Sequence, residues 1–131
     1  MARVNTIRYL EAERVWLASA KPDWTCEIII GGDAAGPAPA RLALLERVLP
    51  VLGEIERRAR DHLDAFVDRG RFAGGEDWYL EGLDMGRDSA APVSEFIMQF
   101  SLDADIYGFW TVTLREQDTG IYAVAFGRRQ W

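Results

Sequence analysis

Val93-Ser94-Glu95-Phe96-Ile97-Met98-Gln99-Phe100, then Tyr107-Gly108-Phe109-Trp110-Thr111-Val112-Thr113-Leu114, then Ile121-Tyr122-Ala123-Val124-Ala125-Phe126 decide the fold. Each run alternates aromatic or β-branched residues with smaller or polar ones, and turn residues separate them. Side chains two apart lie on one face of a strand, so the three runs predict an antiparallel meander. Phe96, Met98, Phe100 and Leu102 share one face, as do Trp110, Val112 and Leu114, and then Tyr122, Val124 and Phe126. Gln117-Asp118-Thr119-Gly120 supplies the second turn.

Upstream of the meander, Asp77 to Met85 reads as a further strand, and Gly86 to Pro92 as a polar loop. Before that lies the clearest helix, from Pro39 to Gly70. Proline suits a first helical turn, and glycine suits the position just past an end. Leu42, Leu45, Leu49, Leu52, Ala59, Leu63 and Phe66 recur at three- and four-residue spacing, with Ile55 beside them. Pro50 removes a backbone donor and Gly53 weakens the same turn, which predicts a kink there. Residues 6–19 fit a helix capped by Thr6 or a strand. Lys21-Pro22-Asp23 is a turn signal, and Trp24, Cys26, Ile28 and Ile30 alternate after it. A first hairpin of 12–19 with 24–31 follows.

A long apolar helical stripe must bury itself, and the sheet face is the only surface large enough. The expectation is one α+β domain over residues 1–131. It has an antiparallel sheet of about five to six strands and one long, Pro-kinked helix packed across one face. The length is ordinary for one domain.

Composition excludes several functions. One cysteine allows no internal disulfide and no cysteine-based zinc site, and one histidine allows no two-histidine metal site within a chain. No apolar run approaches a membrane span, and Met1-Ala2-Arg3-Val4-Asn5 lacks the apolar stretch of a signal peptide. The expected setting is the cytoplasm. Gly31-Gly32 follows a strand, but neither dinucleotide nor Walker spacing is present. Asp103-Ala104-Asp105-Ile106-Tyr107-Gly108 resembles the start of a calcium loop, yet Leu114 stands where the closing glutamate belongs. No Gly-x-Ser-x-Gly elbow supports serine hydrolysis. Cys26 fits a buried small hydrophobe better than a reactive thiolate. No cofactor is expected.

Charge is unevenly spread. Of the net −6, residues 70–108 hold −6, from Glu76, Asp77, Glu81, Asp84, Asp88, Glu95, Asp103 and Asp105 against Arg71 and Arg87. Such a segment repels phosphate backbones and favours basic partners. The aromatics are not interleaved with a basic stripe, so nucleic acid is not an expected partner. Basic side chains are almost all arginine, with Lys21 the single lysine.

Tyr107-Gly108-Phe109-Trp110-Thr111-Val112, a hairpin, and the ending Phe126-Gly127-Arg128-Arg129-Gln130-Trp131 resemble small bacterial α+β domains, among them immunity-type proteins that neutralise a cognate toxin. The resemblance covers about the last thirty residues. It implies a cytoplasmic bacterial protein that acts by binding, and it carries over no catalytic residue.

Three readings of function follow. In the first, the chain is a non-enzymatic protein-binding module that meets a basic partner through Glu81, Asp84, Asp103, Asp105 and Trp131. In the second, it binds a small molecule or is a small enzyme, with a pocket between helix and sheet formed by His62, Trp78, Trp110 and Arg128. In the third, its aromatics are buried in a homo-oligomer.

Overall fold

A computed structural model describes residues 6–19, 26–68 and 77–130. The alternating runs of the C-terminal half form β6 (Glu95–Ser101), β7 (Gly108–Gln117) and β8 (Gly120–Gln130), each antiparallel to the next. Before them come β1 (Thr6–Leu10), β2 (Val15–Ser19), β3 (Glu27–Asp33), a two-residue β4 (Gly36–Pro37), α1 (Pro39–Val48), a 3-10 turn (Leu49–Val51), α2 (Leu52–Phe66) and β5 (Tyr79–Met85). The sheet runs β1-β2-β3-β5-β6-β7-β8, with β4 attached to β3.

The α+β class stands, but the sheet has eight described strands rather than five or six. Residues 6–19 account for part of the difference. They form neither a helix nor one strand but a hairpin, β1 with β2, turned at Arg14 (φ 55°). Tyr9 sits opposite Trp16 with ring centroids 5.0 Å apart, a cross-strand aromatic pair that favours sheet over helix. β2 then pairs with β3 as expected, Val15 opposite Gly31. The Lys21-Pro22-Asp23 turn, Trp24 and Gly70 lie outside the described residues, but the helix already ends at Phe66, short of the expected end near Gly70.

The sheet is mixed, not purely antiparallel. β3 and β5 are parallel neighbours, Ile28 opposite Leu83. A parallel pair needs a crossover, and here the two helices supply it. Pro50 breaks the predicted helix into two, and at the 3-10 turn of 49–51 the Leu52 amide donates to the Leu49 carbonyl. α2 ends where Val67 turns extended (φ −120°, ψ 122°). Leu44, Leu45, Val48, Ile55, Ala59 and Leu63 face Ile28, Ile30, Leu83, Met85, Phe96, Met98, Phe100, Val112 and Leu114 in one core. Full burial of each such side chain contributes about 1.5–3 kcal/mol. Phe66 departs from the stripe: it is 63% exposed.

The faces of β6 and β7 follow the sequence pattern, but β8 does not. A bulge between Thr113 and Leu114 sets Leu114 opposite Ala123 and Thr113 opposite Ala125. Val124 is therefore the extra residue, and it flips the alternation. Ile121 and Ala123 face the core before the bulge, while Phe126, opposite Val112, lies on that side after it but stays 40% exposed. Tyr122, Val124 and Phe126 thus do not share a face.

Arg41, in the first turns of α1, is only 5% exposed. Its stem passes Gly31 and its guanidinium passes Gly86, donating from Nη2 to the Ala91 carbonyl at 2.7 Å. A Cβ on Gly31 would lie 2.1 Å from the Gly86 carbonyl oxygen, so the 86–94 loop closes against β3 only because residue 31 has no side chain.

Candidate functional site

One end of the sheet gathers the start of β5, the 102–107 connection and the last residues of β8. Leu102 is buried, and its carbonyl accepts from the Asp105 amide at 2.9 Å, which turns the chain. Asp105 then points inward. It accepts from Arg128 Nε at 2.8 Å, Arg128 Nη2 at 2.6 Å and Trp110 Nε1 at 3.1 Å. The Arg128 guanidinium also lies 5.9 Å from the Trp110 ring centre. These hydrogen bonds from Arg128 hold the Asp105 carboxyl below the usual carboxylate range.

Trp110 meets Trp78 edge to face at 5.8 Å, and Trp78 meets Phe100 at 6.5 Å. Trp78 Nε1 donates to Asp64 of α2 at 2.8 Å, which ties the helix to this end. Asp105, Trp110, Arg128 and Trp78, drawn from two separate sequence readings, thus form one connected cluster. Among the described residues it is a packed support: Trp78 is 2% exposed and lies between helix and sheet. Above it the loop presents Ile106 and Tyr107, 68% and 72% exposed, next to exposed Asp103. Tyr79, half exposed, starts β5 at the same end.

Of the other sequence candidates, Glu81 lies beside this end and the rest lie elsewhere. Glu81 sits at a bulge between Leu80 and Gly82, where its carboxylate accepts from Ser101 Oγ at 2.7 Å. Asp84, towards the far end of β5, accepts from the amides of Gly86 and Arg87 and so caps the 86–94 loop. His62 stands in α2 between Phe66 (5.2 Å) and Phe126 (6.0 Å), whose rings stack at 4.9 Å. Trp131 lies outside the described residues. The acidic segment is therefore not one patch. It is split between the two ends of β5 and β6, and arginines from other segments pair with much of it: Arg60 with Asp77, Arg115 with Glu95, Arg128 with Asp105.

Cys26 is buried beside β3, and burial, with Glu56, Glu81 and Glu27 adding, pushes its thiol up to about 12. A thiol so placed is no nucleophile at neutral pH. Among the described residues no three His, Cys, Asp or Glu side chains are grouped to hold a metal ion. No helix there is long and apolar enough to cross a membrane.

A cleft of about 560 Å³ opens between the 3-10 turn, α2 and the β7–β8 turn. Most of its charges pair with each other, while Asp118 on its rim has no ion pair among the described residues. Arg47 forms a fork with Glu116, both contacts 2.8 Å, and Arg58 binds Glu54 and the Ile121 carbonyl. Sequence reasoning missed this cleft, buried Arg41 and the exposed Phe66–Phe126 stack. The one legible hint was an aromatic at the very end of the helical stripe. Comparison with protein-family models, with curated proteins and with solved structures finds no match to this chain.

Proposed function

We propose that the chain is a non-enzymatic protein-binding module whose contact surface is the end of the sheet carrying Asp103, Ile106, Tyr107 and Tyr79. The observation that carries this is the pair Ile106 and Tyr107: two large apolar side chains held in solvent on a loop that Asp105 anchors to Arg128 and Trp110. Rigidly supported aromatics at low conformational cost are what binding hot spots use, and a neighbouring carboxylate selects a basic rim on the partner. An immunity-type role, in which the partner is a basic toxin, is the form of this reading that the C-terminal resemblance suggests. A ligand pocket beside His62 and the tryptophans has less behind it, because the Trp78 indole occupies that space.

The test compares affinity capture from the native organism's lysate by the wild type, Tyr107→Asp and Ile106→Asp. Both positions are exposed, so both variants keep the wild-type thermal midpoint. A protein retained by the wild type, released by added salt and lost from both variants supports the reading. The same proteins on all three baits refute it.

A further inference from the structure

β8 is the terminal strand of the sheet, eleven residues long, with β7 as its single strand neighbour among the described residues. From Ile121 to Gly127 it carries no charge. A long open edge without charges or proline is a template for another strand. Beside it, on the helix face, Phe66 and Phe126 are 63% and 40% exposed, and Val124 at the bulge is 37% exposed. That is an apolar margin along an edge that has no second strand partner among the described residues.

We propose that this edge is the interface of a two-fold homodimer in which β8 pairs antiparallel with β8 of a second copy. The argument for a second copy is the arrangement of charge. Arg129 at one end of β8, and Asp118 in the turn before its other end, are both exposed, and neither has an ion pair among the described residues. An antiparallel partner reverses direction. A two-fold axis near Val124 and Ala125 therefore sets Arg129 of each copy diagonal to Asp118 of the other, within reach of a long side chain. One chain thus carries both halves of the complement. The same axis, perpendicular to the sheet, keeps both α2 helices on one face. Phe66, His62 and Phe126 of the two copies then flank the seam and leave water together.

Two features limit the edge to closed pairing. The bulge at Val124 raises the local twist, which disfavours flat, open-ended stacking. Arg58 already donates to the Ile121 carbonyl at 2.8 Å, which covers that end of the edge and leaves the stretch around the bulge for pairing. The interface is separate from the Ile106–Tyr107 surface and does not rest on it.

Sedimentation velocity on the full chain across the micromolar range tests this. The wild type should move from monomer to dimer and no further. Asp118→Arg and Arg129→Asp should each weaken the dimer about tenfold, because two symmetry-related pairs turn repulsive together. The double variant should restore it. Phe126→Lys, which sets a charge on the seam, should weaken it at least about thirtyfold. Tyr107→Asp should leave the dimer constant unchanged, which separates this interface from the binding surface proposed above. A wild type that stays monomeric throughout, or a dimer that ignores both charge reversals, overturns the proposal.

Discussion

Arg41 offers the sharpest test of how the fold holds its far end together. Its Nη2 donates to the Ala91 carbonyl at 2.7 Å, while Nη1 is buried with no partner among the described residues. A hydrogen bond from a charged group contributes about 1.5–3 kcal/mol net, and a buried donor left unpaired costs about 1–3 kcal/mol or more when charged. The two nearly cancel. What remains is the aliphatic stem, whose Cδ lies 3.6 Å from where a Gly31 Cβ would be. Arg41→Met keeps that stem and removes both polar terms, so its stability should lie within about 1 kcal/mol of the wild type. Arg41→Ala removes the stem as well and should cost about 2–4 kcal/mol, as for other large buried side chains. Urea unfolding followed by tryptophan fluorescence gives both numbers. Hydrogen exchange should show faster amides across residues 86–94 in both variants, because the loop has lost its pin. If Arg41→Met is as damaging as Arg41→Ala, the guanidinium itself stabilises the fold and the cancellation argued here is wrong.

Two further perturbations follow from titration. The Arg128 hydrogen bonds lower the Asp105 pKa, so this carboxylate contributes stability above the ordinary carboxylate value of about 3.9, and loses it as pH falls through the lower folded value. Asp105→Asn should therefore have a lower urea midpoint than the wild type at pH 7, with the two converging towards pH ~2; a gap unchanged over that range would contradict the linkage. Burial raises the Cys26 thiol to about 12, so a thiol reagent should label the native protein no faster than the protein unfolds. Rapid stoichiometric labelling at pH 7 would show the thiol to be accessible and acidic.

Much of the architecture was legible because it rests on local alternation. The meander strands lie where Phe96, Met98, Phe100 and then Trp110, Val112, Leu114 set them, and the helix breaks at Pro50. What escaped was non-local. Nothing in residues 27–33 states that β3 lies beside β5 in parallel; that follows from the helical crossover packing back onto the sheet. The bulge at Val124 leaves no mark in a uniformly apolar run, so the faces of β8 came out wrong. Of the candidate site, Asp105, Trp110, Arg128 and Trp78 were each legible as residue types, but their convergence was not. They come from four segments, and pairing by the sheet brings them together.

The arginine-rich composition also changes how the net charge of −6 acts. An arginine fork can hold a carboxylate by two bonds in a fixed plane, which a lysine ammonium cannot. Here two-bond pairs join separate elements, Arg47 of α1 to Glu116 of β7, Arg115 of β7 to Glu95 of β6, and Arg128 of β8 to Asp105, and a single bond joins Arg60 of α2 to Asp77. Several acids of the 70–108 segment are thus spent within the fold, and those that cap the 86–94 loop are held by backbone amides. A partner at the Ile106–Tyr107 end then meets apolar side chains first and the Asp103 carboxylate at their margin. Rim charges act mainly on the association rate, and buried aromatics on the dissociation rate. Added salt should accordingly slow capture by this surface more than it shortens the life of the complex, whereas Tyr107→Asp should shorten that life.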